Sequence, residues 1–465
     1  MKITKCDLTE SLKSVFIGIL SIFLFFFGFF TNEWQLADQQ WFINHQRDTE
    51  SWIIGRMVKS RHNGIFSDGG LTGMVSPTAV PFNIEKLNNT STSFQYQAYI
   101  DCLEFGAYTK YLSQIGVQGM FFSVLDKMIP ISPREKLQVF YAFTSLLSAL
   151  ALTGILLWFN KEFGFIIGLF ILGSAIFSQW LVVFGRNLWW SIWAFYLPML
   201  AIMCYMQRNR ASANGKSIKF GAIVFITIFI KCLFNGYEYI TTTVFMMMVP
   251  FVYYSVRDKF SLGKFLKGFL TAMFSSCIAI LISLVILCIQ IAAAEGSFML
   301  GVHNIEFSLQ KRTHADSKNF PSTYAASLEA GTAQVVVNYF RGIFFNPNNT
   351  FLSKTSLSSY LFPIRYSYLI FMFYIMSVFL WYRRNRYFSE KEKQRSFALV
   401  IATWFSFLAP LSWFIIFKAH SFVHPHMNYL VWQMPFTLFG FAVFGLAVKS
   451  AFSDLIPLMT QKLRG

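Results

Sequence analysis

The sequence predicts an all-α polytopic membrane protein with about ten transmembrane helices. The chain has 465 residues, of which 55% are hydrophobic and only 13% are charged, whereas about a quarter of an average soluble domain is charged. Phenylalanine alone occurs 56 times. One soluble core cannot bury so much apolar surface. The apolar residues are instead gathered into runs of about 20, the length that crosses a bilayer as a helix.

Ten apolar runs are candidate membrane spans. They cover residues 14–31, 137–159, 163–185, 188–206, 218–234, 239–255, 265–294, 366–382, 397–417 and 428–448. The first run follows Lys13 and precedes no small-residue cleavage site, which indicates an uncleaved anchor rather than a signal peptide. The partly apolar stretch 114–130 is expected to be re-entrant or interfacial. We therefore expect a single integral membrane domain over residues 1–465.

The distribution of basic residues predicts the orientation in the membrane. The net charge is +17, and Lys and Arg gather at both termini and in the loops 207–219, 257–267 and 383–395. Because basic loops remain cytoplasmic, ten crossings place two long loops, 32–136 and 295–365, outside the cytoplasm. The chain has no zinc-finger spacing or RNA-recognition motif. The expected partner of its positive charge is therefore the lipid bilayer, with no nucleic acid.

The first long loop contains the densest polar signature, RDTESWIIGRMVKSRHNGIFSDGGL (47–71). Asp48 and Glu50 open it. The segment SWIIGRMVKS predicts a short amphipathic helix that Thr49 could cap, and NGIFSDGG predicts a glycine-rich turn. Two interpretations of the acids are open: they start the helix and favour its dipole, or they carry chemistry.

This motif resembles the opening of the GT-C glycosyltransferases, integral membrane enzymes that include protein O-mannosyltransferases and the lipid A aminoarabinose transferase. The shared features are an acidic pair just outside the first membrane helix, then Arg56 in an amphipathic helix, then Gly64. About ten helices and a large first loop extend the resemblance as architecture. The sequence departs from the family pattern because one residue separates Asp48 from Glu50 and the acid-to-arginine spacing is shorter. Either acid is therefore a candidate for the family's catalytic position.

The resemblance implies a polyprenyl phosphate or pyrophosphate sugar as donor, used on the extracytoplasmic face of the cytoplasmic membrane. It implies a cell-surface polysaccharide, such as an O-antigen, or a lipid-linked glycan as acceptor. Such a site needs a carboxylate to deprotonate the acceptor hydroxyl, a role for Asp48 or Glu50. It also needs cations for the leaving phosphate. The candidate cations in or beside the outer loops are Arg56, Lys59, Arg61, Arg186, Lys231 and Lys418.

Each candidate also has a simpler interpretation. Lys231 and Lys418 lie inside apolar runs, where an ionisable residue is costly, but long side chains can snorkel to the interface. Arg186 in FGRNLWW offers a bidentate phosphate contact, and the two tryptophans after it could stack on a sugar or anchor the protein at the interface. Glu238 in GYEY could bind the acceptor or pair with a nearby cation. Arg312, in the second long loop, could belong to a solvated segment.

Three histidines lie within HSFVHPHMN (420–428). His420 and His424 would share one face of a helix, whereas Pro425 separates His424 from His426 and disrupts a simple helix. The alternatives are a metal site, a site for phosphate or sugar hydroxyls, and an ordinary polar turn. We expect these histidines to line the rim of the active site and to bind substrate.

The sequence predicts no metal site and no cofactor. Zinc would require three or four suitable ligands, and neither an HExxH pattern nor a CxxC pair is present among the residues of the chain. The Asp48-x-Glu50 pair does resemble the acidic pairs that bind a divalent cation in some glycosyltransferases. A divalent cation therefore stays open as an alternative.

Two other functions compete with the glycosyltransferase. A transporter or flippase of a lipid-linked oligosaccharide would line a path with polar residues at both membrane faces. This sequence concentrates its unusual polar clusters on one predicted face. A glycan polymerase or ligase of another membrane fold would also place arginines and histidines outside, but the acidic pair of the first loop argues mildly against it.

Overall fold

The computed structural model describes residues 5–77, 89–209, 217–355, 360–387 and 389–462. Parts of four predicted loops, at 78–88, 210–216, 356–359 and 388, lie outside these ranges. Within them the chain folds into α-helices joined by short turns. The helices are α1 (Lys5–Thr31), α2 (Gln39–Asn63), α3 (Asn89–Ile100), α4 (Val117–Met128), α5 (Pro133–Phe163), α6 (Phe165–Ile176), α7 (Gln179–Gly185), α8 (Ile192–Arg208), α9 (Ser217–Asn235), α10 (Ile240–Arg257), α11 (Leu262–Glu295), α12 (Phe298–Arg312), α13 (Ala325–Glu329), α14 (Thr332–Arg341), α15 (Tyr366–Tyr387), α16 (Glu390–Ser406), α17 (Leu408–Ile416), α18 (Lys418–Val423), α19 (Pro425–Asn428) and α20 (Phe436–Lys462).

The long apolar helices confirm a helical membrane-embedded protein. Five segments of the described chain are long and apolar enough to cross a membrane: Leu12–Thr31, Pro133–Phe163, Ile218–Asn235, Leu262–Glu295 and Glu390–Ile416. Two bent helix pairs raise the number to seven if each is one span: Phe165–Ile176 with Gln179–Gly185, and Pro425–Gln433 with Phe436–Phe452. The remaining three predicted runs also coincide with helices, namely α8, α10 and α15, of 17, 18 and 22 residues.

The two predicted long loops are folded. In the first, β1 (Gly73–Val75) pairs antiparallel with β2 (Tyr108–Lys110). In the second, β3 (Ile343–Phe345) pairs antiparallel with β4 (Ile364–Arg365). These two short ribbons are an addition to the all-α prediction. The first ribbon contacts α2 through β1, and the second contacts α15 through β4.

The helix predicted in the first loop is longer than expected. It begins at Gln39 rather than near Ser51, and Asp38 is its N-cap, accepting a hydrogen bond of 2.8 Å from the Trp41 amide. The prediction that Thr49 caps this helix is therefore wrong, and the acidic pair lies in its middle. The first ten residues of α2 carry few apolar side chains, so no periodic apolar pattern predicts a helix there. Their helical conformation is stabilised by tertiary packing rather than by sequence pattern.

The glycine-rich turn after α2 is confirmed. Gly64 and Gly69 have φ angles of +90° and +64°, which favour glycine. A Cβ atom on Gly69 would come within 2.3 Å of the carbonyl oxygen of Gln290 in α11. The turn therefore brings the first loop into close contact with the membrane bundle.

The stretch that was expected to be re-entrant or interfacial forms α4. Its 12 residues span about 18 Å, which is too short to cross a bilayer. The helix packs against α2. Ser132 then starts α5 with a capping box to Glu135, so the long span begins immediately after the loop.

α10 lies at the centre of the bundle, where it contacts α8, α16 and α17. Its 18 residues separate two ends of the molecule by about 27 Å. Glu238 precedes α10 at one end, and Arg257 binds Glu162 at the other. We call these the Glu238 end and the Glu162 end.

Candidate functional site

A cavity of about 520 Å³ lies at the Glu238 end, where both long loops meet the bundle. Its volume falls in the range of small-molecule sites. Side chains of α2, the turn before α8, the turn between α9 and α10, α12 and α18 form its walls. Segments that are far apart in sequence therefore converge on one chamber.

Asp48 and Glu50 face opposite sides of α2. Two residues along an α-helix rotate a side chain by about 200°. Asp48 is exposed and lines the cavity, together with Thr49 and Trp52. Glu50 is fully buried. The structure therefore brings only the first acid of the predicted pair into contact with the cavity.

Glu50 is bound on the other side of α2. It accepts hydrogen bonds from the hydroxyls of Tyr96 and Tyr141 at 2.8 and 3.0 Å and from the Leu188 amide at 3.1 Å. Burial raises the pKa of Glu50 to about 7, although Arg186 and these hydrogen bonds act against the rise. The carboxyl group therefore holds the segment before α8 against α2.

A second contact reinforces the same attachment. The side-chain amide of Asn187 donates to the Thr49 hydroxyl at 3.1 Å, and its Oδ1 accepts from the amides of Trp189 and Trp190 at 3.0 and 3.2 Å. These bonds fix the backbone that carries both tryptophans. Glu50 and Asn187 thus position the two aromatic residues that line the cavity.

Aromatic rings form one continuous wall of the cavity. The Tyr111 ring lies 5.1 Å from the Trp52 ring and 5.1 Å, edge to face, from the Trp189 ring. Trp190 is 3% exposed and stacks on Tyr239 at 5.7 Å. Such a surface suits the apolar face of a sugar ring, because aromatic side chains offer large rigid contact areas.

Beside Tyr111 of this wall lies a charged corner, which we define as Glu238, Lys311, Arg312, His420 and His424. Nη1 of Arg312 lies 3.1 Å from Oε1 of Glu238. Oε2 of Glu238 lies 3.6 Å from Nε2 of His420. Burial favours the neutral acid, but nearby positive charge, of which Arg312 supplies the largest share, outweighs it and holds the pKa of Glu238 below its ordinary value. The corner thus contains an ionised carboxylate.

The histidines of the corner are neutral at pH 7. Burial, with Arg312 and Lys311 nearby, lowers the pKa of His420 to about 3 against the opposing effect of Glu238. Burial also lowers the pKa of His424 to about 4. The rings of His420 and His424 lie 4.7 Å apart. These imidazoles can therefore donate or accept hydrogen bonds inside the cavity.

His426 also lines the cavity, with its ring 5.6 Å from that of His424. Among the residues that the structure describes, no group of three or more His, Cys, Asp or Glu side chains is arranged to hold a metal ion. The three predicted histidines thus share the cavity without forming a metal-binding cluster in the described chain.

Arg56 lies outside the cavity lining and binds the glycine-rich turn. It is fully buried. Its Nη1 donates to the carbonyl oxygen of Ser67 at 2.6 Å, and its Nη2 to that of Gly64 at 3.1 Å and to that of Ile65. The predicted substrate contact therefore satisfies backbone carbonyls that would otherwise be buried without a donor.

Lys231 and Lys418 also bind backbone carbonyls. Nζ of Lys231 donates to Gly236 and Glu238 at 2.9 and 2.5 Å. Nζ of Lys418 donates to the carbonyl oxygens of Leu328 and Ala330, both at 2.7 Å. Neither side chain lines the cavity. They instead secure the Glu238 turn and the second long loop, from which cavity walls are built.

Arg186 is not among the residues that line the cavity. Its Nη1 donates to the Phe30 carbonyl oxygen at 2.8 Å, and the guanidinium lies over the rings of Phe42 and Tyr141 at 4.5 and 4.7 Å. The arginine expected to contact phosphate thus ties α1 to the Glu50 region. The cavity-lining cations of the described chain are Arg312 and Lys311.

Some cavity residues gave no signal in the sequence. Tyr111 follows β2, and Lys311 ends α12 beside Arg312. Tyr324 faces them from a short helical turn. One signal could have indicated Lys311. The basic end of α12 lies in a predicted extracytoplasmic loop, and basic residues there depart from the rule that basic residues remain inside.

Comparison with protein-family models, curated proteins and solved structures finds no match to this chain.

Proposed function

We propose that the protein is a GT-C-type glycosyltransferase that moves a sugar from a polyprenyl-phosphate-linked donor to a hydroxyl of a cell-surface polysaccharide or lipid-linked glycan. The observation that carries the proposal is the cavity at the Glu238 end. It combines the exposed carboxylate of Asp48, an aromatic wall and two cations in a membrane-embedded bundle. Transfer of a sugar from a phosphate leaving group requires a base, a surface that contacts the sugar, and cations that stabilise the phosphate.

In the proposed reaction, the acceptor oxygen attacks the anomeric carbon of the sugar. Its proton passes to the carboxylate of Asp48 as the new glycosidic bond forms. The bond between the anomeric carbon and the phosphate oxygen breaks, and its electron pair leaves with the phosphate. Arg312 and Lys311 stabilise that charge. Glu50 acts as a positioning residue for Trp189 and Trp190, which line the cavity beside the sugar.

The donor's lipid fits an apolar cleft at the same end of the bundle. The cleft has a volume of about 210 Å³, and its lining includes Phe121, Phe143, Trp193 and Phe234. Phe143 lies in the span α5 and is partly exposed. A polyprenyl chain is apolar, so the cleft can bind its first isoprene units while the sugar phosphate occupies the cavity.

We further propose ten crossings, with the cavity on the extracytoplasmic face of the cytoplasmic membrane. The crossings are α1, α5, α6–α7, α8, α9, α10, α11, α15, α16–α17 and α20. Both long loops and the Glu238 turn then lie outside, and the loops rich in Lys and Arg lie inside, as the positive-inside rule requires. On that side the acceptor glycan and the sugar-bearing headgroup meet.

The decisive experiment measures transfer by the protein in lipid nanodiscs, with a panel of polyprenyl-phosphate sugars and mass spectrometry of the products. Asp48→Asn keeps the shape of the side chain and removes its charge. We expect transfer to fall by about 10²- to 10⁴-fold, with donor binding retained. Comparing glycans of cells with and without the gene identifies the acceptor.

The matched control is Asp38→Asn, which alters the N-cap of the same helix. It is expected to cost at most roughly 1 kcal/mol of stability and to leave transfer unchanged in the folded protein. Equal transfer rates for Asp48→Asn and the unaltered protein would reject Asp48 as the base. Absence of any sugar transfer across the panel, with intact donor binding, would favour the flippase alternative.

A further inference from the structure

Buried polar atoms without partners surround one side of the cavity. Nε1 of Trp190, Oε2 of Glu238, Nδ1 of His420 and Nδ1 of His424 are buried and have no hydrogen-bond partner within the described part of the chain. Buried polar groups in folded proteins are nearly always hydrogen-bonded. All four residues line the same cavity, so these groups lie close to any ligand that enters it.

The hydrogen-bond donors around this side of the cavity favour an anion as that ligand. The indole N–H, the guanidinium of Arg312 and the ammonium of Lys311 can only donate hydrogen bonds. Glu238 is the one carboxylate in the charged corner, and Arg312 already neutralises it at 3.1 Å. With neutral histidines, the corner carries one net positive charge from Lys311, Arg312 and Glu238. A small phosphate ester matches both the donors and the charge.

Arg312 is held at the correct place for this contact. Its Nη2 donates to the hydroxyl of Tyr111 at 3.2 Å, while its Nη1 binds Glu238. The guanidinium is thus fixed between the first long loop and the α9–α10 turn. Because a guanidinium has five donors, these two contacts leave N–H groups for a phosphate oxygen.

We infer that the charged corner binds the phosphate group of the lipid substrate and that His420 takes up a proton as the phosphate binds. The inference rests on the proposed function for the identity of the phosphate ester, and the shared chemistry is that of a phosphate mono- or diester. No covalent bond changes: the proton comes from solvent and resides on the imidazole, between a phosphate oxygen and Oε2 of Glu238.

The empty cavity disfavours the imidazolium form, and the bound anion reverses the balance. His420 is 8% exposed, and Arg312 and Lys311 of α12 repel a positive charge on it. Glu238 from the α9–α10 turn attracts the charge, and the ring of neutral His424 lies 4.7 Å from that of His420. Lys418 on the same helix is turned away to bind Leu328 and Ala330. A phosphate adds negative charge and draws Arg312 toward itself, so the proton on His420 becomes favourable.

The test is isothermal titration calorimetry of the full chain in nanodiscs at pH 7.5, in two buffers with different ionisation enthalpies. The main probe is methyl farnesyl phosphate, a diester that cannot itself take up a proton near this pH. The difference in heat between the buffers gives the number of protons taken up per ligand bound. We expect a net uptake of protons that increases as the pH is lowered from 7.5, from the linkage between anion binding and protonation.

Three further ligands separate the sources of binding. Farnesyl phosphate represents the leaving lipid phosphate, and its greater charge should increase affinity. Inorganic phosphate should bind more weakly than the lipid esters; binding that is equal to that of the lipid esters would assign the subsite to free phosphate rather than to a lipid headgroup. Farnesol should bind without uptake. Equal affinity for farnesol and its phosphate would overturn the inference.

Variants locate the proton. His420→Gln should abolish uptake and weaken binding of the diester at least about tenfold, the scale of one charge-assisted hydrogen bond. The matched control is His303→Gln, an exposed histidine of α12, which should change neither quantity. If His420→Gln does not fold, the two-buffer measurement is made on the unaltered chain and on His424→Gln instead. Those two measurements then decide whether a proton is taken up on binding. Binding without uptake, or uptake retained in His420→Gln, overturns the inference.

Sugar transfer is not part of this readout, so the two proposals fail separately. Proton-coupled phosphate binding without transfer would reject the enzyme and retain the subsite. Transfer together with phosphate binding that releases or takes up no proton would retain the enzyme and reject the role of His420.

Discussion

Two buried carboxylates, one at each end of α10, are paired with arginine in different ways. At the Glu162 end, Oε2 accepts from Arg257 at 3.0 Å and from the Tyr253 hydroxyl at 3.1 Å. Oε1 accepts from the Tyr254 hydroxyl at 3.4 Å. At the other end, Glu238 also binds an arginine, but its Oε2 has no hydrogen-bond partner among the described residues and lines a cavity.

The difference separates an ion pair that holds the fold from one that is available to a ligand. A buried pair offsets its desolvation only when further hydrogen bonds satisfy the remaining groups. Tyr253 and Tyr254 supply them to Glu162, and the indole N–H of Trp158 in turn donates to the Tyr254 hydroxyl at 3.0 Å. The Glu238 end leaves such groups open, and we attribute that to substrate binding.

The largest expected effect is antibody access to two inserted epitopes, which should be complete for one and absent for the other. If the two ends face opposite sides of the membrane, an epitope inserted at Ser317 in the second long loop should be reached by antibody in intact cells. An epitope at Gly263, beside the Glu162 end, should be reached only after permeabilisation. Accessibility of both sites in intact cells would contradict the ten-crossing proposal, because the cavity loops and basic loops would share a face.

The next largest effect concerns stability. Arg257→Ala should lower the free energy of unfolding by about 3–5 kcal/mol, because it leaves Glu162 charged and buried without a cation. Arg312→Ala should cost only about 1 kcal/mol, because water can enter the cavity and solvate Glu238. Denaturant unfolding in detergent, followed by tryptophan fluorescence, compares the variants. A larger loss in Arg312→Ala than in Arg257→Ala would break the comparison.

For sugar transfer, removing the charge of each carboxylate should give the opposite order, with the larger effect at the Glu238 end. Glu238→Gln is expected to reduce sugar transfer by roughly 10- to 100-fold, since a hydrogen bond to a charged group contributes about 1.5–3 kcal/mol. Glu162→Gln should leave transfer by the folded fraction unchanged. Both rates are measured on protein that elutes as a single species and are divided by folded protein. Normal transfer in Glu238→Gln would assign that residue a purely structural role.

A smaller, pH-dependent effect comes from Glu50. Its pKa in the folded protein, about 7, lies above the ordinary 4.5, so its contribution to stability is complete below pH 4.5 and is lost as the pH rises toward 7. Relative to Glu50→Gln, the unaltered protein should lose stability between these values, by at most about 1.4 kcal/mol per pH unit.

The comparison with the variant is needed because His420 and His424 act in the opposite direction. Their pKa values are lowered in the folded protein, so their contribution is present above pH 6.5 and is lost as the pH falls. These residues are common to both proteins and cancel in the difference. Parallel stability curves for Glu50→Gln and the unaltered chain would contradict the raised pKa of Glu50.

The membrane helices were predictable because their cause is local. A run of about 20 apolar residues must be helical in a bilayer, since only helices satisfy their own backbone there. The run 218–234 thus lies one residue inside each bound of Ser217–Asn235. The beginning of α2 was not predictable, because residues 39–48 become helical through packing on other parts of the chain. The number of crossings stays a prediction.

Several residues of the site could be predicted from the sequence, but their arrangement in space could not. Asp48, Glu238 and the three histidines were expected on one face, and they line one cavity. Whether they act on a substrate stays a prediction. A sequence does not distinguish a lysine that binds a backbone carbonyl oxygen from a lysine that binds phosphate. Tertiary structure decides which of these partners lies within reach of the side chain. Tyr111 and Lys311 reach the cavity through the same long-range packing.

Lys231 has a consequence for how the chain enters the membrane. As α9 leaves the ribosome, a lysine within it raises the cost of insertion by up to about 2.5–3.5 kcal/mol. The carbonyl oxygens that bind its ammonium belong to residues 236 and 238, which are synthesised after α9 itself. Insertion of α9 alone therefore exposes an uncompensated charge, whereas a hairpin of α9 and α10 carries its own compensation. Biogenesis should accordingly deliver these two helices to the bilayer as a pair.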